Sequence, residues 1–303
     1  MRRPGPVDLM LIATIVIWAF NITVTKYVLT HGFRPLAYGS IRYAAAALLA
    51  AAVALALEGS LAVGGRRNLL LIGAASVFLL VNQFSFVYAL KLGSATTVAL
   101  ILGTTPIFAA IVSSVIGLER LTGRFWVATA IGFAGVALVA LGSGGDLSSD
   151  LGGDLLAIAL SISWALYSVT ISPLMRRYSP YRISAVVLLV MCVPFVAASS
   201  PQLAEQDYAS LGWLVWVCLA FAIVGPLALT NVLWFTAISR VGPSRATLFA
   251  NIQPFVAAVF AYLILSEHLH VLQVAGGFTI LAGILFERRW RRPAAEVEVP
   301  LVE

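Results

Sequence analysis

The sequence predicts an all-α integral membrane protein of ten transmembrane helices, built as two five-helix repeats that face opposite ways in the bilayer. Three observations carry this: a deficit of charge, ten apolar runs of crossing length, and an internal echo at a constant offset. Of the 303 residues, 61% are hydrophobic and only 11% are charged. A water-soluble domain carries about 25% charged residues, so the solvent for most of this chain is lipid.

The runs, in order, are Val7–Leu29, Leu36–Leu57, Leu69–Ala89, Thr96–Leu118, Phe125–Leu141, Leu151–Ser172, Ile183–Ala198, Leu211–Ile238, Ala246–Leu265 and Val271–Phe286. A helix needs roughly 20 apolar residues to cross, within a range of about 17–25. The first run is long and lacks a small-residue cleavage site, so it reads as a helix and not as a removable signal. The seventh run is the shortest and the eighth the longest. The loops between runs are too short to hold a soluble domain. Cys192 and Cys218 lie inside apolar runs and read as small buried hydrophobes, not as a disulfide or metal pair.

Loop charges give an orientation. When loops are numbered alternately, one side receives fifteen of the 19 basic residues, from Arg2 and Arg3 through Arg66, Arg67, Arg176 and Arg177 to Arg292. The other side receives only Arg34 and Lys91, while Lys26 and Arg42 fall inside helices. Positive charge collects on the cytoplasmic side, so both termini are expected there. The same placement explains the net charge of +6 without nucleic acid. The acidic segments Asp146–Asp150 and Glu205–Asp207 fall outside.

The two halves echo each other. Pro106-Ile-Phe-Ala-Ala is followed by Glu119-Arg-Leu, and Pro254-Phe-Val-Ala-Ala by Glu267-His-Leu, with twelve residues between Pro and Glu in both. An offset of 148 also aligns Ala89 with Ala237, Ala134 with Ala282 and Gly135 with Gly283. Trp18-Ala19 faintly resembles Trp164-Ala165. Five helices per half is an odd number, so the second copy enters the membrane from the opposite side. This is the inverted-repeat plan of many secondary transporters, with a binding site near the midplane. The expected division is a first repeat over 7–142, a second over 151–288 and a cytoplasmic tail over 289–303, its acidic end Glu296–Glu303 disordered.

These features resemble the drug/metabolite transporter superfamily in its EamA-type branch. The resemblance rests on the tandem five-helix repeat, the doubled Pro-x12-Glu-x-Leu ending, Trp-Ala in helices one and six, and Ile41-Arg42-Tyr43 early in helix two. It covers about residues 7–288. It implies a ten-helix carrier with cytoplasmic termini that moves amino acids, other small metabolites or drugs across the cytoplasmic (inner) membrane, often outward. It also implies a central cavity lined by helices one, three, four, six, eight and nine.

Polar side chains inside a bilayer are costly, so they are functional candidates by default. Trp18, Asn21 and Thr25 share one face of helix one at spacings of three and four. Trp164, Tyr167 and Ser168 hold similar positions in helix six. Asn82, Gln83 and Phe86 in helix three pair, through the offset, with Thr230, Asn231 and Trp234 in helix eight. A symmetric pocket of amides and rings follows, although amides also bond between helices as packing contacts worth roughly 1 kcal/mol. Pro106 and Pro254 stand 13 residues from their helix-end glutamates, about 20 Å at helical rise, hence near the midplane. Each frees the carbonyl four residues back, Leu102 and Ala250. Such breaks act as hinges or bind substrate, or are static kinks satisfied by hydroxyls. Asn251 and Gln253 flank the second break, Thr104 and Thr105 the first. Glu119 and Glu267 read as caps of the following helix in preference to a proton relay.

Two cations complete the candidates. Lys26, near the outer end of helix one, can snorkel or bind a substrate carboxylate. Arg42 lies about 10 Å in from Pro35; it too can snorkel, or bind freed carbonyls or an anionic substrate. The structural reading is preferred for it, with Lys26 the better candidate for a substrate carboxylate. No Asp or Glu occupies a helix centre, which argues against cationic drugs held by a buried carboxylate and favours neutral, zwitterionic or anionic metabolites. A sugar-phosphate or nucleotide-type exchanger would need clustered Lys or Arg, and only these two cations are available. An intramembrane enzyme would need metal spacing or a nucleophile with its base. His31, His268 and His270 lie in loops or at helix ends, so neither this nor any cofactor is indicated. A receptor-like membrane protein is a further alternative. The expected partners are a small-molecule substrate and the lipid bilayer; oligomeric state is open, since small residues such as Ala44–Ala47 permit contact within or between copies.

Overall fold

A computed structural model describes residues 6–116, 123–142, 147–230, 233–234 and 253–289. Every regular element among these residues is helical: α1 (Pro6–Thr30), α2 (Pro35–Glu58), α3 (Arg66–Leu92), α4 (Ala95–Leu102), α5 (Thr105–Val115), α6 (Gly123–Leu141), α7 (Leu147–Ile171), α8 (Pro180–Glu205), α9 (Trp213–Ile223), α10 (Gln253–Leu265) and α11 (Val271–Arg289). A 3-10 turn at Leu174–Arg176 precedes α8, and a π-helical segment, Val224–Leu229, continues α9. Five helices, α1, α2, α3, α7 and α8, are long and apolar enough to cross a membrane on their own. The other runs form shorter apolar helices. Leu48, Val193 and Val271 are 68%, 74% and 84% exposed, as suits a surface whose solvent is lipid.

Three boundaries depart from the sequence reading. The fourth run is two helices, interrupted at Gly103–Thr104. Pro106 lacks an N–H and sits in the first turn of α5, where that loss costs nothing. The seventh run, expected to be shortest, forms a helix of 26 residues. Its polar end, Ser199-Ser200-Pro201-Gln202, stays helical because Ser199 Oγ donates to Phe195 O (2.6 Å) and Ser200 Oγ donates to Ala197 O (2.8 Å). Ala197 is the residue whose carbonyl Pro201 leaves without a donor. α7 begins at Leu147, so most of the acidic loop expected at Asp146–Asp150 is its first turn. Cys192 and Cys218 are unpaired, and partly rather than fully buried. The tail, Glu296–Glu303 included, lies outside the described residues.

Helices of the two halves pack against each other in antiparallel pairs. At one end of the α2–α8 pair, Gln202 and Gln206 accept hydrogen bonds from Leu36 N (2.8 Å) and Arg34 N (2.7 Å), capping α2; Arg34 also pairs with Glu205. At the other end, Arg182 donates to Glu58 (2.9 Å) and Ser179 bonds the same carboxylate. α6 and α11 approach through glycines. A Cβ on Gly276 would meet Gly135 O at 2.6 Å, and one on Gly283 would meet Ala128 O at 2.8 Å. Close backbone approach at small residues is how helices associate where burial from water gives no drive. α3 and α7 are likewise antiparallel: Gly93 touches Gly153, and Tyr178, just beyond α7, meets Gly64 and Asn68 at the start of α3. One continuous core, with Tyr38, Leu90, Ile101, Met191 and Phe195 fully buried, joins both halves.

Candidate functional site

A chain of buried polar groups crosses the middle of the molecule. Gln83 lies 9 residues before the end of α3 at Leu92, about 14 Å in at helical rise. Its Nε2 donates to Asn82 Oδ1 (2.7 Å), and Asn82 Nδ2 donates to the Leu160 carbonyl of α7 (2.9 Å). Gln83 Oε1 accepts from Arg42 Nη2 of α2 (3.1 Å). Asn82, Gln83 and Arg42 are each at most 4% exposed. One network therefore ties α2 and α3 of the first half to α7 of the second.

Arg42 is the unusual member. Its guanidinium carbon lies 5.5 Å from the Tyr38 ring, 5.0 Å from the Tyr43 ring and 5.3 Å from the Phe86 ring. The quadrupoles of such rings attract a cation, for about 2 kcal/mol or more when the pair is desolvated. Nε and Nη1 have no hydrogen-bond partner. Its electrostatic neighbours are the Tyr38 and Tyr43 phenols, and among the described residues no carboxylate forms an ion pair with it. A buried charge without a counter-charge costs several kcal/mol. Tyr38 is positioned in turn by Thr25, whose hydroxyl lies 3.1 Å from the Tyr38 hydroxyl. Tyr38 escaped the sequence reading, although it stands four residues before Arg42 and so on the same helix face.

A second group lies between α1 and the π-helical segment. Trp18 Nε1 donates to Thr230 Oγ1 (2.8 Å), and that hydroxyl donates onward to Pro226 O (2.6 Å). The Trp18 and Trp234 rings are 5.2 Å apart. The i→i+5 turn of a π-bulge displaces side chains from the α register, and here it delivers Thr230 to Trp18. Thr230 is fully buried. Asn21, a turn beyond Trp18 on α1, is buried with its Oδ1 unpartnered. The Trp164 and Tyr167 rings lie 5.4 Å apart and tilted to each other on α7, with Trp164 40% exposed. Asn231 and Asn251, also expected in the pocket, lie outside the described residues, as does the freed carbonyl expected at Ala250. Gln253 is half-buried at the start of α10.

The breaks and helix ends have specific partners. Thr105 Oγ1 donates to Leu102 O, the carbonyl that Pro106 frees, and Thr104 Oγ1 donates to Ile101 O, both at 2.7 Å. A Cβ on Gly103 would meet the Pro254 ring at 3.3 Å, so the break of the fourth run packs on the proline of the ninth. Glu267 accepts from Ala95 N (2.9 Å) and Thr96 N (3.0 Å). It caps α4, in the opposite half, and not the helix that follows it. Glu119 lies outside the described residues. Lys26 Nζ donates to the Leu90 carbonyl (2.8 Å) and to that of Gly93, at the negative end of α3. A cavity of about 300 Å³ opens beside this turn, between Leu29, Phe33, Arg34, Pro35, Lys91 and Gln202.

Comparison with known proteins follows the same two-part pattern. The EamA-like transporter family matches at residues 5–141 and again at 151–287. The uncharacterized transporter YyaM of Bacillus subtilis is 24% identical over 283 residues, covering 91% of this chain and 92% of its own. An uncharacterized transporter of Archaeoglobus fulgidus is 25% identical, covering 93% and 99%. The uncharacterized inner membrane transporter YedA of Escherichia coli is 29% identical, covering 68% and 66%. One crystal structure superposes with a TM-score of 0.65 at 17% identity, over 96% of this chain and 100% of that one, a likeness of fold alone.

Proposed function

Because the chain belongs to the EamA-like transporter family and is a multi-pass membrane transporter, we propose that it is a secondary carrier, exporting an amino acid or aromatic metabolite across the cytoplasmic membrane by alternating access. One observation carries this reading. The buried network Arg42–Gln83–Asn82–Leu160 places polar groups at membrane depth across the junction of the halves, where a carrier built from repeats binds its substrate. Polar groups at that depth cost free energy that a purely structural interior has no need to spend.

The inverted plan is supported by the antiparallel packing of α2 on α8, α4 on α10 and α6 on α11. A two-fold axis in the membrane plane turns each helix into an antiparallel copy of itself, and these pairs are the second with the seventh, the fourth with the ninth and the fifth with the tenth. Glu267 on α4 and Gly103 on Pro254 are contacts between such partners. The proposed cycle rocks the repeats about the broken fourth crossing and the break expected at Pro254 in the ninth, with both termini cytoplasmic.

Flux of a labelled panel of amino acids and aromatic acids into or out of vesicles holding the purified protein tests this. Saturable movement of at least one member is expected. If no member moves while the folded protein retains a binding partner, a receptor-like role replaces the carrier.

A further inference from the structure

We infer that Arg42 is the anchor for a substrate carboxylate, so that the cargo of this carrier is a small monocarboxylate, amino acids included. The inference rests on the carrier reading above and narrows it to a chemical class.

The argument starts from the guanidinium. A planar guanidinium offers two forks, each using one hydrogen of Nη2 and one of either Nε or Nη1. Gln83 takes one Nη2 hydrogen. Nε and Nη1 have no well-aligned hydrogen-bond partner, although the Tyr38 and Tyr43 hydroxyls lie close enough to interact with the guanidinium and would have to yield to a carboxylate. One complete fork is left, matched to the two oxygens of a carboxylate. Arg42 is 2% exposed, so solvent does not screen its charge. Tyr38, Tyr43 and Phe86 surround the cation without supplying a negative charge. A carboxylate arriving here would satisfy both the fork and the charge. A phosphate dianion brings a second charge and a third oxygen, and no other cation of the described residues reaches this network.

A route to the site is built from the same helices. Lys91 and Arg34 stand at the mouth of the 300 Å³ cavity, and Phe33 forms part of its wall. Phe33 is buried, and its ring lies edge-on to that of Tyr38 at 5.7 Å. Tyr38 in turn lies against Arg42. Basic side chains at a mouth concentrate anions, and the Phe33–Tyr38 pair stands between that mouth and the guanidinium, so that substrate would have to displace it. Lys26 of α1 is bonded to the carbonyls that end α3, which leaves Arg42 as the better match for substrate.

The test uses the full-length protein in detergent and thermal stability as readout, since a ligand that binds only the folded state raises the melting temperature. The probes are phenylacetate beside phenylacetamide, L-phenylalanine beside L-phenylalaninamide, and phenylphosphonate. The expected result is a saturable rise with at least one acid, and an apparent affinity weaker by at least about tenfold for its amide. R42Q should lose the acid's effect, and R42K, a point charge without a fork, should keep a weakened one. Equal shifts by acid and amide in the unmodified protein, which need no variant to fold, would overturn the inference. So would a phenylacetate shift that survives in R42Q, a preference for phenylphosphonate, or the absence of any shift by either acid. A parallel vesicle flux of phenylacetamide separates the two readings: if the amide moves saturably and R42Q moves it unchanged, the carrier stands and the carboxylate anchor does not.

Discussion

At the scale of single residues, the buried amides act together. Gln83 holds Arg42 on one side and Asn82 on the other, so removing its side chain disturbs both. Losing a hydrogen bond to a charged group costs about 1.5–3 kcal/mol. Gln83→Ala should therefore lower transport by about tenfold or more while the protein still reaches the membrane, as flux and expression measured together would show. Normal flux would remove Gln83 from the site. Glu267 makes a different prediction. Its carboxylate takes two N–H groups of α4, a cap worth about 1 kcal/mol, so Glu267→Ala should lower the melting temperature by roughly 2–4 °C; an unchanged value would mean water replaces it. Much of this was legible beforehand. Arg42, Asn82, Gln83, Trp18 and Trp234 stand out in sequence because polar or amphipathic side chains at depth need a reason. Their partners do not stand out. Leu160 O and Leu90 O are backbone atoms, and the target of Glu267 lies 171–172 residues away, beyond any local spacing.

At the scale of elements, proline breaks recur with the same repair. Thr105 donates to the carbonyl freed by Pro106, and Ser200 to the one freed by Pro201. In each case the residue just before the proline supplies the hydroxyl. Thr105→Val should destabilise the protein by about 1 kcal/mol, and Thr105→Ser should not, in a thermal melt; equal melting would show that Leu102 O has another donor. The break at Gly103 meets the other half at Pro254 and Ile280. Glycine is also what lets α6 and α11 touch. Gly276→Leu, placed where even a Cβ would stand 2.6 Å from Gly135 O, should part these helices and abolish stable expression, whereas Gly73→Leu, in open space on α3, should be tolerated. The existence of nearly every element was readable from hydrophobic length. Their ends were less so. Apolarity stops at Ala198, yet helix geometry continues wherever side-chain hydroxyls can replace a missing N–H. The π-helical turn at Val224–Leu229 leaves no periodic signature in so uniformly apolar a run.

At the scale of the whole molecule, a membrane transporter of two halves is proposed to open alternately to each side. The expectation, from the charge split, that both termini are cytoplasmic is checked by reporter fusions: a cytoplasm-active reporter should work at both ends, and activity of a periplasm-dependent one at either end would reverse the orientation. The pairing of α2 with α8, α4 with α10 and α6 with α11 was foreshadowed by the offset of 148, which states which residues correspond but not that corresponding helices touch. Substrate identity is less legible still, because the groups that select it are few and their partners come from distant parts of the chain. The central claim, that the junction of the halves opens in turn to each side, can be tested without knowing the cargo. Thr230, fully buried between Trp18 and the π-helical segment, is replaced by cysteine in a protein whose Cys192 and Cys218 are changed to alanine. Labelling by a membrane-impermeant thiol reagent is then followed from the outside in intact cells and from the cytoplasmic side in inverted vesicles. Reaction from both sides is the result predicted. Reaction from one side alone, or from neither in a folded protein, would contradict alternating access at this junction.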